Sequence, residues 1–169
     1  GRSRYNLALA LSALRRYAEA RQELQRAIDC DKPYGHAAEP WKTWSTLEDL
    51  ERATGHAEAA QAARQEAIAT YLAYRRAGGV SQSNQAWLFE GVAQAIQQNA
   101  IAEAAQQLNQ LDVPPQFTAL IRQLLAVLAG DRDPALADEP ELGFENAAEL
   151  RLLLEALGQG GAGGGGASA

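Results

Sequence analysis

The chain has 169 residues, 47% hydrophobic, 21% charged and 7% aromatic, with a net charge of −6, a profile that fits one compact domain or a short repeat array and excludes a disordered polymer. Its 36 alanines and 22 leucines, set against few β-branched residues, make helix the expected structure. No apolar run nears the roughly 20 residues of a membrane span, no leader segment opens the chain, and the acidic balance opposes phosphate-rich nucleic acid; the expectation is an all-α cytoplasmic protein with neither membrane nor nucleic acid as partner.

Residues 3 to 31 read as two amphipathic helices, with Leu7, Leu11 and Leu14 on the buried face of the first and Ala20, Leu24, Ala27 and Ile28 on that of the second. The break at Arg15-Arg16-Tyr17 contains neither Gly nor Pro. Pro33, Gly35 and Pro40 mark a loop from Lys32 to Glu39. A third helix starts at Pro40, carries Trp41, Trp44, Leu47 and Leu50, and ends at Gly55. A fourth runs from Ala57 to Ala77 without a breaker and stops at Gly78-Gly79.

Beyond Gly79 the charge changes sign: residues 1 to 79 carry net +2 and residues 80 to 169 carry net −8. Ser83 or Asn84 caps a helix that buries Trp87, Leu88, Val92 and Ile96. After Asn99 the apolar pattern resumes at Ile101, Ala104, Ala105, Leu108 and Leu111. Pro114-Pro115 separates it from a strongly apolar helix, Phe117 to Ala129. An acidic connection with Pro134 and Pro140 leads to a last helix from Glu145 to Leu157, and residues 158 to 169, with seven glycines, form a flexible tail.

Two segments repeat at a distance of forty residues. Leu7-Ala8, Tyr17, Ala20, Leu24 and Ala27 in the first correspond to Trp44, Leu47, Gly55, Ala60 and Ala67 in the second, and Tyr17-Ala18-Glu19-Ala20 corresponds to Ala57-Glu58-Ala59-Ala60. This spacing resembles the tetratricopeptide family of helix-turn-helix repeats, in which small residues let paired helices approach closely. The second unit departs from the family pattern with Glu48, Glu51 and Arg64 where small or large apolar residues are usual. The spacing exceeds the usual ~34 residues, which places an insertion around Pro33 to Pro40. A third unit, Gln85 to Leu111, shows only Leu88, Ala104 and Leu108 and is left unassigned.

The organisation expected is therefore two tetratricopeptide-like pairs over residues 1 to 79, an acidic helical cap over 80 to 157, and the tail. The missing Met and the repeat register at residue 1 imply that further repeats precede this segment. The arrangement is similar to the C-terminal repeats of large bacterial signalling proteins. That resemblance implies a right-handed solenoid fragment serving as a protein-interaction scaffold or ligand-sensing region. The alternative it implies is a structural cap or oligomerisation segment of a multidomain regulatory ATPase or hydrolase.

In such arrays the first helix of each pair lines a concave groove. By matching position, the groove residues are Arg2, Tyr5, Leu9 and Ser12 from the first pair and Lys42, Ser45, Asp49 and Arg52 from the second. Basic side chains beside an aromatic suit a protein or peptide partner with acidic groups. The family's carboxylate clamp for chaperone tails needs Asn where Leu9 and Asp49 stand, which argues against that ligand.

No catalytic or metal constellation emerges, and no cofactor is expected. His36 and His56 have no sequence signature of a nucleophile or orienting partner. Cys30 sits between Asp29 and Asp31, a setting opposed to a reactive thiolate. The clusters Glu48-Asp49-Glu51 and Asp131 to Glu141 lack the ligand order of a calcium loop. Trp41 and Trp44 at helical spacing read as core rather than as a stacking pocket. The chain is expected not to be an enzyme.

Overall fold

The computed structural model describes residues 1 to 161. Among them are eight α-helices and three short 3-10 segments, with no strand. The helices are α1 (Arg2–Ala13), α2 (Tyr17–Asp31), α3 (Pro40–Ala53), α4 (Ala57–Arg76), α5 (Ala86–Gln97), α6 (Ile101–Gln110), α7 (Thr118–Leu128) and α8 (Phe144–Gly161). The chain divides into two compact units, the first ending at Gly79 and the second beginning at Val80.

In the first unit α1 packs on α2, α3 on α4, and α2 on α3, so the two hairpins join through their inner helices. Alanine makes this possible. Ala8, Ala20, Ala27 and Ala67 have no exposed surface, and a methyl side chain lets neighbouring backbones approach to interior packing density. Leu24, Ile28, Leu47 and Leu50 fill the remaining space in one cluster with Ala8, Ala20 and Ala63. Burying a side chain such as Leu24 contributes about 2 kcal/mol.

One turn geometry recurs. Arg15, Gly55, Asn99 and Gly130 each follow a helix with φ of 58°, 80°, 58° and 101°. In each case the next amide donates to the carbonyl five residues back: Arg16 to Leu11 at 2.9 Å, His56 to Glu51 at 2.9 Å, Ala100 to Ala95 at 2.8 Å and Asp131 to Ala126 at 3.0 Å. This left-handed cap satisfies carbonyls that the helix end leaves open. At the first three sites a second helix starts at once, and Ala20, Ala60 and Ala104 each lie five residues past the left-handed residue. The α5–α6 hairpin, left unassigned above, therefore repeats the turn of the first two.

In the second unit α7 is the most enclosed helix, burying Leu120, Leu124, Val127 and Leu128 along with Ala119, Ile121 and Gln123. The loop before α5 is pinned from inside. Ser83, 7% exposed, donates to Asn146 Oδ1 of α8 at 2.7 Å and accepts from the Gln85 amide at 3.0 Å. Neither Ser83 nor Asn84 caps α5 as expected: the helix begins at Ala86 with Gln85 as its N-cap and no side-chain cap, and the Ser83 hydroxyl holds the Gln85 amide just before it.

Three other expectations need correction. Leu7 and Leu14 are not buried: they are 48% and 68% exposed, and α1 buries Ala8 and Leu11 instead. Trp87 is 57% exposed, and α5 buries Leu88, Phe89, Val92 and Ala95. Helix α8 continues through Gly158 to Gly161, where a tail was expected; the helix seeded by packed Ala147, Leu150 and Leu154 propagates past the last apolar contact. The remainder of the expected tail, residues 162 to 169, lies outside the described residues.

Candidate functional site

A polar contact joins helices α1 and α3. Thr46 Oγ1 donates to the Lys42 carbonyl at 2.9 Å, which uses its single proton, so the Tyr5 hydroxyl is the donor in the 3.1 Å bond between Tyr5 Oη and Thr46 Oγ1. Tyr5 is thereby fixed across the two hairpins. Beside it opens a concave cavity of about 600 Å³, whose walls include Arg2, Tyr5 and Asn6 of α1 and Lys42 and Thr43 of α3. The far wall comes from Asp31, Ala37, Ala38 and Glu39, that is, from the end of α2 and the inserted segment.

That insertion is a 3-10 segment, Lys32–Ala38, broken at Gly35 (φ 54°, ψ −133°) and followed by Glu39 at φ 49°. The chain turns sharply there, and Pro40 then opens α3 at a position where its missing amide costs nothing. Glu39 returns to the cavity rim and pairs with Lys42 at 2.7 Å. Arg2 differs: it is exposed, and its guanidinium has no hydrogen-bond or ion-pair partner among the described residues.

Of the eight groove residues read from the sequence, the structure brings Arg2, Tyr5 and Lys42 to this cavity. Leu9, Ser12, Ser45, Asp49 and Arg52 do not line it. Leu9 is 43% exposed on α1, Ser12 and Ser45 are half-buried, and Asp49 is exposed. Arg52 is engaged by Glu48 one turn earlier in α3. Sequence reasoning missed Asn6, Thr43 and the wall made by Ala37 and Ala38; the six-residue excess over the family spacing was the one available signal.

The three departures from the family pattern form buried ionic pairs. Glu48, Glu51 and Arg64 are all about 5% exposed. Glu48 faces Arg64 of α4 at 3.7 Å and Arg52 of its own helix, yet burial pushes its carboxyl above the ordinary value against the pull of both cations. Glu51 is clasped by Arg21 of α2, with Arg21 Nη2 2.7 Å from Oε2. That hydrogen bonding holds its carboxyl below the ordinary value. His56 and Thr54 complete the cluster, Nδ1 of His56 lying 2.9 Å from Thr54 Oγ1 and 3.0 Å from Glu51.

The aromatic residues divide. Trp41 is fully enclosed, its ring 4.7 Å from Tyr74 and 5.6 Å edge-on from Tyr71, and its Nε1 has no acceptor among the described residues. Trp44 packs half-buried against the core cluster. No three His, Cys, Asp or Glu side chains among the described residues are grouped to hold a metal ion, and no described helix is long and apolar enough to cross a membrane.

No protein-family model, curated protein or solved structure matches this chain.

Proposed function

We propose that the first unit is a protein-recognition element, built of tetratricopeptide-like helix pairs, that grips an extended segment carrying a carboxylate in the cavity between α1 and α3. The observation that carries this reading is Arg2: an exposed guanidinium without a partner among the described residues, in a concave wall beside the fixed ring of Tyr5 and the ammonium of Lys42, which Glu39 holds at the rim. A guanidinium offers a planar pair of donors to a carboxylate. The immobilised Tyr5 ring adds contact area at little further entropy cost. The setting that suits this role is a cytoplasmic scaffold or ligand-sensing region of a larger bacterial protein, acting without a cofactor and without catalysis.

The test is fluorescence polarisation with two labelled peptides, one alternating Glu and Leu, the other Lys and Leu. The acidic peptide should bind in preference. Arg2→Glu should weaken it about tenfold, equivalent to ~1.4 kcal/mol, and Arg2→Glu with Lys42→Glu should weaken it further. Equal binding of both peptides, or an Arg2→Glu protein that binds the acidic one unchanged, would defeat the reading.

A further inference from the structure

The first unit holds a second pocket, about 290 Å³ in volume, which lies against the same insertion but is walled by α2, α3 and α4. It shares Asp31 and no other described residue with the cavity between α1 and α3. Its body is apolar: Ile28 comes from the end of α2, while Pro40 and Trp44 stand one turn apart on α3. On α4, Glu66 and Thr70 are likewise one turn apart on a single face, and His36 of the insertion completes the wall.

The polar groups of this pocket call for a donor. Glu66 is exposed, and its carboxylate has no hydrogen-bond or ion-pair partner among the described residues. Thr70 Oγ1 lies 2.7 Å from the Glu66 carbonyl and 3.2 Å from that of Ala67; its one proton is used within its own helix, so towards a ligand it can only accept. The one Lys or Arg in the wall, Lys32, is engaged by Asp29 at 2.8 Å. Asp31 brings a second carboxylate, with Oδ1 3.0 Å from the Gly1 ammonium. Trp44 is half-buried, and no other ring stacks on its indole among the described residues. An indole attracts a cation placed over its face, and a carboxylate beside it adds to that attraction.

We infer that this pocket binds a small organic ammonium, a protonated amine on a compact apolar body. The ammonium donates to Glu66 and Thr70, and the body lies against Trp44, Ile28 and Pro40. The volume is close to the roughly 300 Å³ at which small-molecule sites begin, which suits one such molecule. A carboxylate ligand would meet the unpaired charge of Glu66 with its own sign. The pocket is thus opposite in preference to the cavity between α1 and α3, and the inference stands apart from the peptide-gripping reading, since Arg2, Tyr5 and Lys42 take no part in it.

The test is an NMR titration of the whole chain with phenethylammonium at about pH 8, where an ordinary imidazole is neutral and an alkylamine keeps its proton. The readout is the indole N–H signal of Trp44, assigned by its loss in Trp44→Phe. The signal should shift and saturate, with a dissociation constant of about 1 mM for a ligand of this size. Phenethyl alcohol, which is neutral, and hydrocinnamate, which is anionic, should bind about tenfold more weakly or not at all. Glu66→Gln should weaken phenethylammonium about fivefold, whereas Glu58→Gln, which removes an exposed carboxylate of α4 outside the pocket, should leave it unchanged. Both glutamates are exposed, so both variants should fold. The inference is overturned if no saturation appears by about 20 mM, if the neutral compound binds as well as the cation, or if Glu66→Gln and Glu58→Gln act alike. One further arm separates a free amine from a lysine of another protein. Butylammonium has the linear body of a lysine side chain and should bind more weakly; equal binding would assign the pocket to a lysine and overturn the small-ligand inference.

Discussion

Arg21 on α2 holds the carboxylate of Glu51 on α3 with two nitrogens of its guanidinium, joining the two hairpins of the first unit by an ion pair whose acidic member is almost wholly enclosed. Removing only the cation strands a buried charge, the costly case among ion-pair mutations. Arg21→Met should destabilise the first unit by about 2 kcal/mol, with His56 left beside the carboxylate. Arg21→Met combined with Glu51→Leu should recover much of that loss. Urea unfolding of the single and double variants measures it; additive losses would show that the two side chains do not couple.

Acid should act on Glu51 and Glu48 in opposite directions. The folded-state pKa of Glu51 lies below its ordinary value of 4.5, so its contribution is complete above that value and disappears as pH falls through the lower folded one. The folded-state pKa of Glu48 is raised, so the native state takes up its proton first and gains stability as pH falls from the raised value toward 4.5. Glu51→Gln should therefore flatten the loss of stability below about pH 4.5, and Glu48→Gln should leave that loss in place. Unfolding midpoints across the acid range separate the two.

Arg15 holds φ at 58° where Gly55 serves the next hairpin at 80°. A side chain in the left-handed region costs about 1 kcal/mol, which glycine avoids at the expense of a more flexible unfolded chain. Arg15→Gly should stabilise the first unit by about 0.5 kcal/mol and Gly55→Ala should destabilise it by about 1 kcal/mol. Thermal unfolding of the two variants checks the opposite signs.

Trp41 fills the space beside Tyr71 and Tyr74 with an indole whose N–H finds no acceptor among the described residues. Trp41→Ala should cost about 4 kcal/mol through the cavity it opens. Trp41→Phe should cost much less, about 1 kcal/mol, because losing ring volume is offset by removing a buried donor without a partner. If the two variants unfolded at the same urea concentration, the indole N–H would carry no such penalty.

Much of the helical framework was legible because its signals are local. Pro40, Gly55, Gly78 and Pro114 punctuate the chain at the residues where helices start or stop, and the alanines at 8, 20, 27, 60 and 67 fall at the buried positions. Legibility failed where burial depends on neighbours that are remote in sequence. Leu7 and Leu14 have the right spacing for a core face, but α1 buries Ala8 and Leu11 instead and leaves both leucines exposed. Glu48, Glu51 and Arg64 read as breaks in an apolar pattern, and their meaning appears only when Arg64 of α4 faces Glu48 and Arg21 of α2 reaches Glu51. The third hairpin was hidden for a simpler reason: its turn depends on a backbone angle that Arg15, Gly55 and Asn99 adopt alike, and residue identity does not record it. The groove was half legible. Position along α1 and α3 located Arg2, Tyr5 and Lys42, whereas its opposite wall comes from an insertion whose path no periodicity describes.

The 3-10 insertion, Lys32–Ala38, contains no buried residue, yet it supplies a wall of the cavity. Its length and sequence can therefore drift without disturbing the interior of the helix pairs. What the cavity accepts and how firmly the protein holds together are under separate control, so a lineage could retune the first by altering a few surface residues while the second stays constant.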